Sequence, residues 1–107
     1  MVLQRSPTPP FANGGAIPSA IMYFVYILRC KDKKLYIGYS DDLLSRFKEH
    51  ESGMVDSTKH RRPLTLFYYE AYSNKKSAQE RERKLKQFGS SYKGLVKRLG
   101  IEQAGLV

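Results

Sequence analysis

YFVYILRC (residues 23–30), KDKK (31–34) and LYIGY (35–39) together decide the fold. The first run is aromatic, β-branched or otherwise apolar at odd and even positions alike, Arg29 excepted. Both faces of a strand built from it need cover, which predicts a central strand. Lys31-Asp32-Lys33-Lys34 reads as a turn, and so short a link predicts an antiparallel hairpin. In the second strand Tyr36 and Gly38 fall on one face by period-two alternation. A glycine there leaves room for a ligand beside the tyrosine hydroxyl. Packing at the core or the sheet edge accounts for most of the 8 tyrosines without any ligand.

Downstream, Ser40 offers a side-chain oxygen as helix N-cap, with Asp41 and Asp42 in the first turn, where the helix dipole favours anions. This helix is expected to run to about Ser52 and to stop at Gly53, with Leu43, Leu44 and Phe47 on its apolar side. Residues 54–63 form a polar, basic loop that ends in Lys59-His60-Arg61-Arg62-Pro63. LTLFYYEAY (64–72) is a third strand. Ser73 or Asn74 caps a second helix from about Lys75 to Phe88. Gly89-Ser90-Ser91 breaks it, and a short third helix covers Tyr92 to Leu99 before Gly100. The order β-β-α-β-α-α predicts an α/β (α+β) fold, a small three-stranded antiparallel sheet flanked by helices.

Upstream, residues 1–21 are rich in Pro, Gly, Ser and Ala and carry one charge, Arg5. They read as a disordered N-terminal tail. Met22 abuts the first strand and is a candidate start of translation. The folded domain is expected to span 22–100, with 101–107 as a C-terminal tail.

A chain of 107 residues supports one domain. Lys and Arg number 19 against 10 acids, a formal charge of +9, which predicts attraction to polyanions, nucleic acid foremost. A basic solvated surface without a specific ligand is the alternative. Cys30 is the single cysteine, so no intrachain disulfide forms and a reducing compartment fits. No apolar run reaches the length of a membrane span, and the first 21 residues lack the basic start and apolar centre of a secretory signal. The cytoplasm is the expected location.

Two helices carry residues that are wrong for a plain scaffold. At ~100° per residue Ala78, Glu82 and Leu85 fall within ~60° of one another. Glu82 thus stands in the apolar stripe, while Glu80 points to the solvated side. A carboxylate on a buried face must be paired or hold a metal. A salt bridge to a nearby Lys or Arg and a metal site both satisfy that demand. On the first helix Leu43, Arg46, Phe47 and His50 share a side by i,i+3 and i,i+4 spacing. Arg46 can grip a phosphate bidentately, and His50 can donate a hydrogen bond or move a proton near neutral pH. A surface pair with snorkelling stems is the alternative.

Phe24-Val25-Tyr26, then nine residues, then Tyr36-Ile37-Gly38 resembles the two-part signature of the GIY-YIG nuclease family. Arg46 and His50 stand at the positions of that family's helix arginine and its histidine or tyrosine. His50-Glu51-Ser52-Gly53 is similar to the HxxG run of single-domain members, and Arg61-Arg62-Pro63 before the third strand fits the single-domain bacterial type. Ala78-x-x-x-Glu82-x-x-x-Lys86 resembles the segment that carries the metal-binding glutamate. Phe24 replaces the first glycine of the signature, and Tyr39 stands where some members have lysine. The resemblance covers residues 23–99.

The resemblance implies a metal-dependent DNA endonuclease that hydrolyses phosphodiester bonds, in repair or recombination. Glu82 would hold one divalent ion, Mg²⁺ or Mn²⁺. Tyr36, or Tyr26 beside it, would deprotonate the attacking water, helped by cations that lower its pKa. Arg46 would stabilise the transition state and His50 would orient the tyrosine or relay the proton. Gly38, Lys59, Arg61, Arg62, Arg81 and Lys86, with Arg83 and Lys84, would border or contact the nucleic-acid backbone without reading sequence. DNA is the expected partner and no membrane is; an RNA partner, or a catalytically weak binding module of the same fold, are the competing expectations.

Overall fold

The computed structural model describes residues 21–87 and 89–101. The tails expected at 1–21 and 101–107 lie outside these residues, Ile21 and Ile101 excepted. Three strands, β1 (Tyr23–Arg29), β2 (Leu35–Ser40) and β3 (Thr65–Tyr72), and three helices, α1 (Leu43–Glu51), α2 (Lys75–Lys86) and α3 (Ser90–Leu99), follow the order β-β-α-β-α-α. The sheet is antiparallel with order β2-β1-β3. The doubly apolar run is the central strand, as its pattern requires.

Alternation along β1 divides the core into two. Val25 and Ile27 join Leu35 and Ile37 under Ala78 and Leu85 of α2 and Tyr92, Leu95 and Val96 of α3. Phe24, Tyr26 and Leu28 face the other way, with Leu43 of α1 and Leu64 and Leu66 around β3. Burying each of these large side chains stabilises the fold by ~1.5–3 kcal/mol. The hairpin turn closes through Cys30 N–H to Lys34 O and Lys33 N–H to Cys30 O, both 2.9 Å, with Lys33 at a φ of 70°.

Helix ends differ from the sequence reading in three places. Asp42, not Ser40, is the N-cap of α1: its side chain accepts the Ser45 amide at 3.1 Å. Ser40 makes the preceding turn, its hydroxyl accepting the Asp42 amide at 2.9 Å. Asp41 and Asp42 therefore lie before the first turn, not in it. Helix α2, capped by Asn74 through the Ser77 amide at 3.0 Å, ends at Lys86 rather than at Phe88, a residue outside those described. Gly89 is the N-cap of α3, so Ser90 and Ser91 begin that helix instead of breaking the one before.

Candidate functional site

The register of the hairpin builds the site. Tyr26 lies directly opposite Gly38, and Leu28 opposite Tyr36. These positions share one face, and α1 adds Arg46 and His50 to it. The Tyr26 hydroxyl is hydrogen-bonded to His50 Nε2 at 2.8 Å. His50 Nδ1 meets Thr58 Oγ1, also at 2.8 Å. All three residues are buried. The Tyr36 ring stands edge-on to His50, with centroids 4.9 Å apart, and Tyr36 itself is half-buried. Arg46 lies beside both tyrosines, near enough for its charge to act on each.

Gly38 is where the structure changes the sequence reading. A Cβ there would sit 2.4 Å from both Cζ and the hydroxyl oxygen of Tyr26. The space given to a ligand is occupied by the ring of Tyr26, which crosses the glycine to reach His50. That ring is buried and hydrogen-bonded, so it cannot swing aside cheaply. Gly38→Ala is expected to cost ~1–3 kcal/mol through overpacking, a fall of several degrees in melting temperature for a domain of this size. A thermal melt checks this, and an alanine variant melting with the wild type would mean that Tyr26 does not need the gap.

Electrostatics set the resting protonation states. Burial, then the neighbouring Arg46, pulls His50 down to about 4, with Glu49 opposing. His50 is therefore neutral across the physiological range and does not titrate near pH 7, contrary to the expectation for an ordinary histidine. Tyr26 is pushed well above the usual phenol range by burial and by Tyr36 and Glu82, which together outweigh Arg46. The expected cationic lowering of this tyrosine is present but loses to desolvation. Arg46 is raised, chiefly by its bond to Glu49 at 2.7 Å.

Glu82 approaches from α2, on the opposite core layer, and its charge acts on Tyr26 and Tyr39. Its side chain is 22% exposed and is paired with Lys86 at 2.9 Å, so the salt bridge considered from sequence does form. Glu80 is exposed and pairs with Arg83, as its place on the helix predicted. Among the described residues no group of three or more His, Cys, Asp or Glu could hold a metal. A single carboxylate fits a hard cation that keeps several waters and takes its other oxygens from a substrate; it does not fit zinc, which needs a fuller set of nitrogen or sulfur ligands.

The basic residues divide by what already holds them. Arg81 makes a two-pronged pair with Glu70 at 2.9 and 3.0 Å, and Tyr68 donates to the same carboxylate at 2.7 Å. This half-buried pair commits Arg81 to the packing of α2 on β3. Arg62 donates to Glu51 O at 3.1 Å and Lys59 O at 3.0 Å, and Arg61 pairs with Asp32. An open groove of about 420 Å³ is lined by Glu51, Lys59, His60, Arg62, Pro63 and Leu64. Thr58, the one member of the hydrogen-bonded chain that sequence reasoning missed, sits in a loop with no periodicity to single it out.

The GIY-YIG catalytic domain family matches residues 22–95, and the chain belongs to this family of nuclease domains. Its relatives narrow the type. A UPF0213 protein of Clostridium perfringens is 41% identical over 73 residues, 67% of this chain and 78% of that one. A UPF0213 protein of Pediococcus pentosaceus is 37% identical over 92 residues, 84% of this chain and 97% of that one. The solution NMR structure of a UPF0213 protein from Bacillus halodurans is 34% identical, covers 74% of this chain and 85% of that one, and superposes with a TM-score of 0.48. Nucleases of this family depend on a divalent metal and act on nucleic acid. No helix among the described residues is long and apolar enough to cross a membrane.

Proposed function

We propose that the domain is a metal-dependent DNA endonuclease that grips the backbone with little sequence discrimination and acts on structured DNA of the kind met in repair or recombination. The observation that carries this is the convergence of Tyr26, Tyr36, Arg46 and His50 on one face, with Glu82 close enough to act on the same phenol.

Glu82 would hold a divalent cation such as Mg²⁺ or Mn²⁺ in place of its pair with Lys86, which stands half-exposed one turn further on; bound there, the cation would supply Lewis-acid stabilisation of the phosphate and offset the carboxylate charge that Tyr26 feels. Arg46 offers its planar fork to the remaining phosphate oxygens and neutralises charge there. Tyr36, the more accessible tyrosine, positions the attacking water. Tyr26 takes the water proton, because it has an onward partner in His50. Burial raises the Tyr26 phenol and lowers the His50 imidazole, and both shifts oppose transfer of the Tyr26 proton to His50 before attack. The Tyr26 proton therefore shifts toward His50 in concert with attack. Lys59, Arg61, Arg62 and Lys86 contribute positive potential along the backbone path.

Incubation with supercoiled plasmid and with branched oligonucleotides, with and without Mg²⁺, tests the proposal. Nicking or cleavage only with the cation is expected, and competition at matched salt is expected to favour DNA over RNA. Tight binding without cleavage under any divalent cation would instead make the domain a binding module, and preference for RNA would overturn the choice of substrate.

A further inference from the structure

We infer that Thr58 is a positioning residue that fixes the tautomer of His50, holding the proton on Nδ1 so that Nε2 presents a lone pair to the Tyr26 hydroxyl. The inference rests on the nuclease reading for its purpose but not for its geometry. His50 and Thr58 are both fully buried, so water cannot reorganise the ring. The imidazole touches two hydroxyls, one on each nitrogen, at 2.8 Å each. A neutral imidazole has one donor and one acceptor, and these contacts permit either order. The Val55 carbonyl breaks the tie. It is an acceptor for the Thr58 hydroxyl other than the ring, at 3.5 Å, a long bond. With the Thr58 proton directed there, its oxygen accepts from Nδ1–H, and Nε2 is left to accept from Tyr26.

The direction of the chain matters because the opposite tautomer would place an N–H against the Tyr26 oxygen. Tyr26 could then still accept a hydrogen bond but could not pass its own proton to His50. A tyrosine that takes a proton from water must lose one elsewhere, so only the Nδ1–H form completes the transfer: the bond from water oxygen to hydrogen breaks, Tyr26 gains that proton and yields its own to Nε2. Thr58 N–H and Lys59 N–H also donate to Val55 O, at 3.1 and 2.9 Å, so the loop is wound tightly around this carbonyl and holds Thr58 in place against the ring.

The test is nitrogen-detected NMR of the imidazole in the full chain without metal or substrate. Wild type is expected to show His50 protonated at Nδ1 and bare at Nε2; the reverse overturns the inference whatever the nuclease activity. Thr58→Ser keeps the hydroxyl and is expected to keep that tautomer. Thr58→Val, nearly the same shape, removes it and is expected to shift the ring to the Nε2–H form. In cleavage assays the valine variant should lose ~10–100-fold in kcat, the range typical of lost partners of a working histidine, with KM within about twofold because no substrate contact is removed. Serine should restore kcat. A valine variant with the wild-type tautomer and rate, or a serine variant as impaired as valine, would make Thr58 a packing residue. Should the valine variant fail to fold, the wild-type spectrum alone decides. Absence of cleavage in the wild type would defeat the nuclease reading and leave the tautomer assignment standing.

Discussion

Glu82→Ala is expected to abolish cation-dependent cleavage while DNA affinity, measured without the cation, stays the same or rises slightly. The side chain stands among apolar neighbours on α2, between Ala78 and Leu85, and its charge acts on Tyr26. If its only role were the ion pair with Lys86, removal would matter little, because an i,i+4 pair with a half-exposed lysine contributes ~0.3–0.5 kcal/mol. If it holds the cation, the loss is several kcal/mol of transition-state stabilisation, at least ~10³-fold in rate. Binding moves the other way, since deleting a negative charge from a basic surface strengthens attraction to phosphate. Glu80→Ala is the internal control, because Glu80 is exposed and pairs with Arg83. Single-turnover cleavage of both variants at saturating Mg²⁺ separates the cases, and equal behaviour of the two would remove Glu82 from the metal site.

Arg46→Lys should cripple cleavage although the charge is kept. Arg46 lies against both tyrosines of the cluster, while one of its nitrogens is held by Glu49 at 2.7 Å. That bond, together with the one to the Tyr26 hydroxyl, fixes the guanidinium plane beside the tyrosines, where a phosphate would meet its fork. Lysine is a mobile point charge that cannot span two oxygens, and loss of one preorganised donor typically costs ~10²–10³ in rate. Folding should persist, because the side chains of the pair are 36% and 45% exposed and the pair is worth at most ~1 kcal/mol, and lysine keeps the aliphatic stem. Single-turnover rates decide the matter. A lysine variant within about threefold of wild type, far short of the loss expected for a missing donor, would leave Arg46 as a surface partner of Glu49.

The parts of this molecule that follow a period were legible in the sequence. The doubly apolar run at 23–29 demanded a central strand, and β1 is central. Helical spacing placed Glu82 in the apolar stripe, and it placed Arg46 and His50 on one side of α1; the structure keeps both placements. What was not legible depends on contacts between segments that no period describes. The ring of Tyr26 fills the gap over Gly38 because β1 and β2 pair in one particular register, which also turns an apparent ligand space into packing. Thr58 reaches His50 because an aperiodic loop folds back on α1. Arg81 looked free for phosphate on its helix and is tied to Glu70 by the docking of α2 on β3. The neutral state of His50 follows from burial, which residue type alone does not reveal.

Residues 53–63 have little regular structure, yet they are fastened on two sides. Gly53 turns at a φ of 82°, and a Cβ there would meet the Arg62 guanidinium at 2.9 Å. Arg62 reaches back to Glu51 O, Lys31 N–H donates to Arg61 O at 2.9 Å, and Arg61 pairs with Asp32. The segment therefore works as a ruler. The number of residues between the end of α1 and Thr58 sets the reach from that threonine to His50, and one added residue would move the hydroxyl by up to ~3.5 Å, beyond hydrogen-bond range. Surface loops ordinarily absorb changes of length. Here variation in length should be concentrated at the hairpin turn or beyond α3, while the stretch from 53 to 58 holds its count even where its side chains drift.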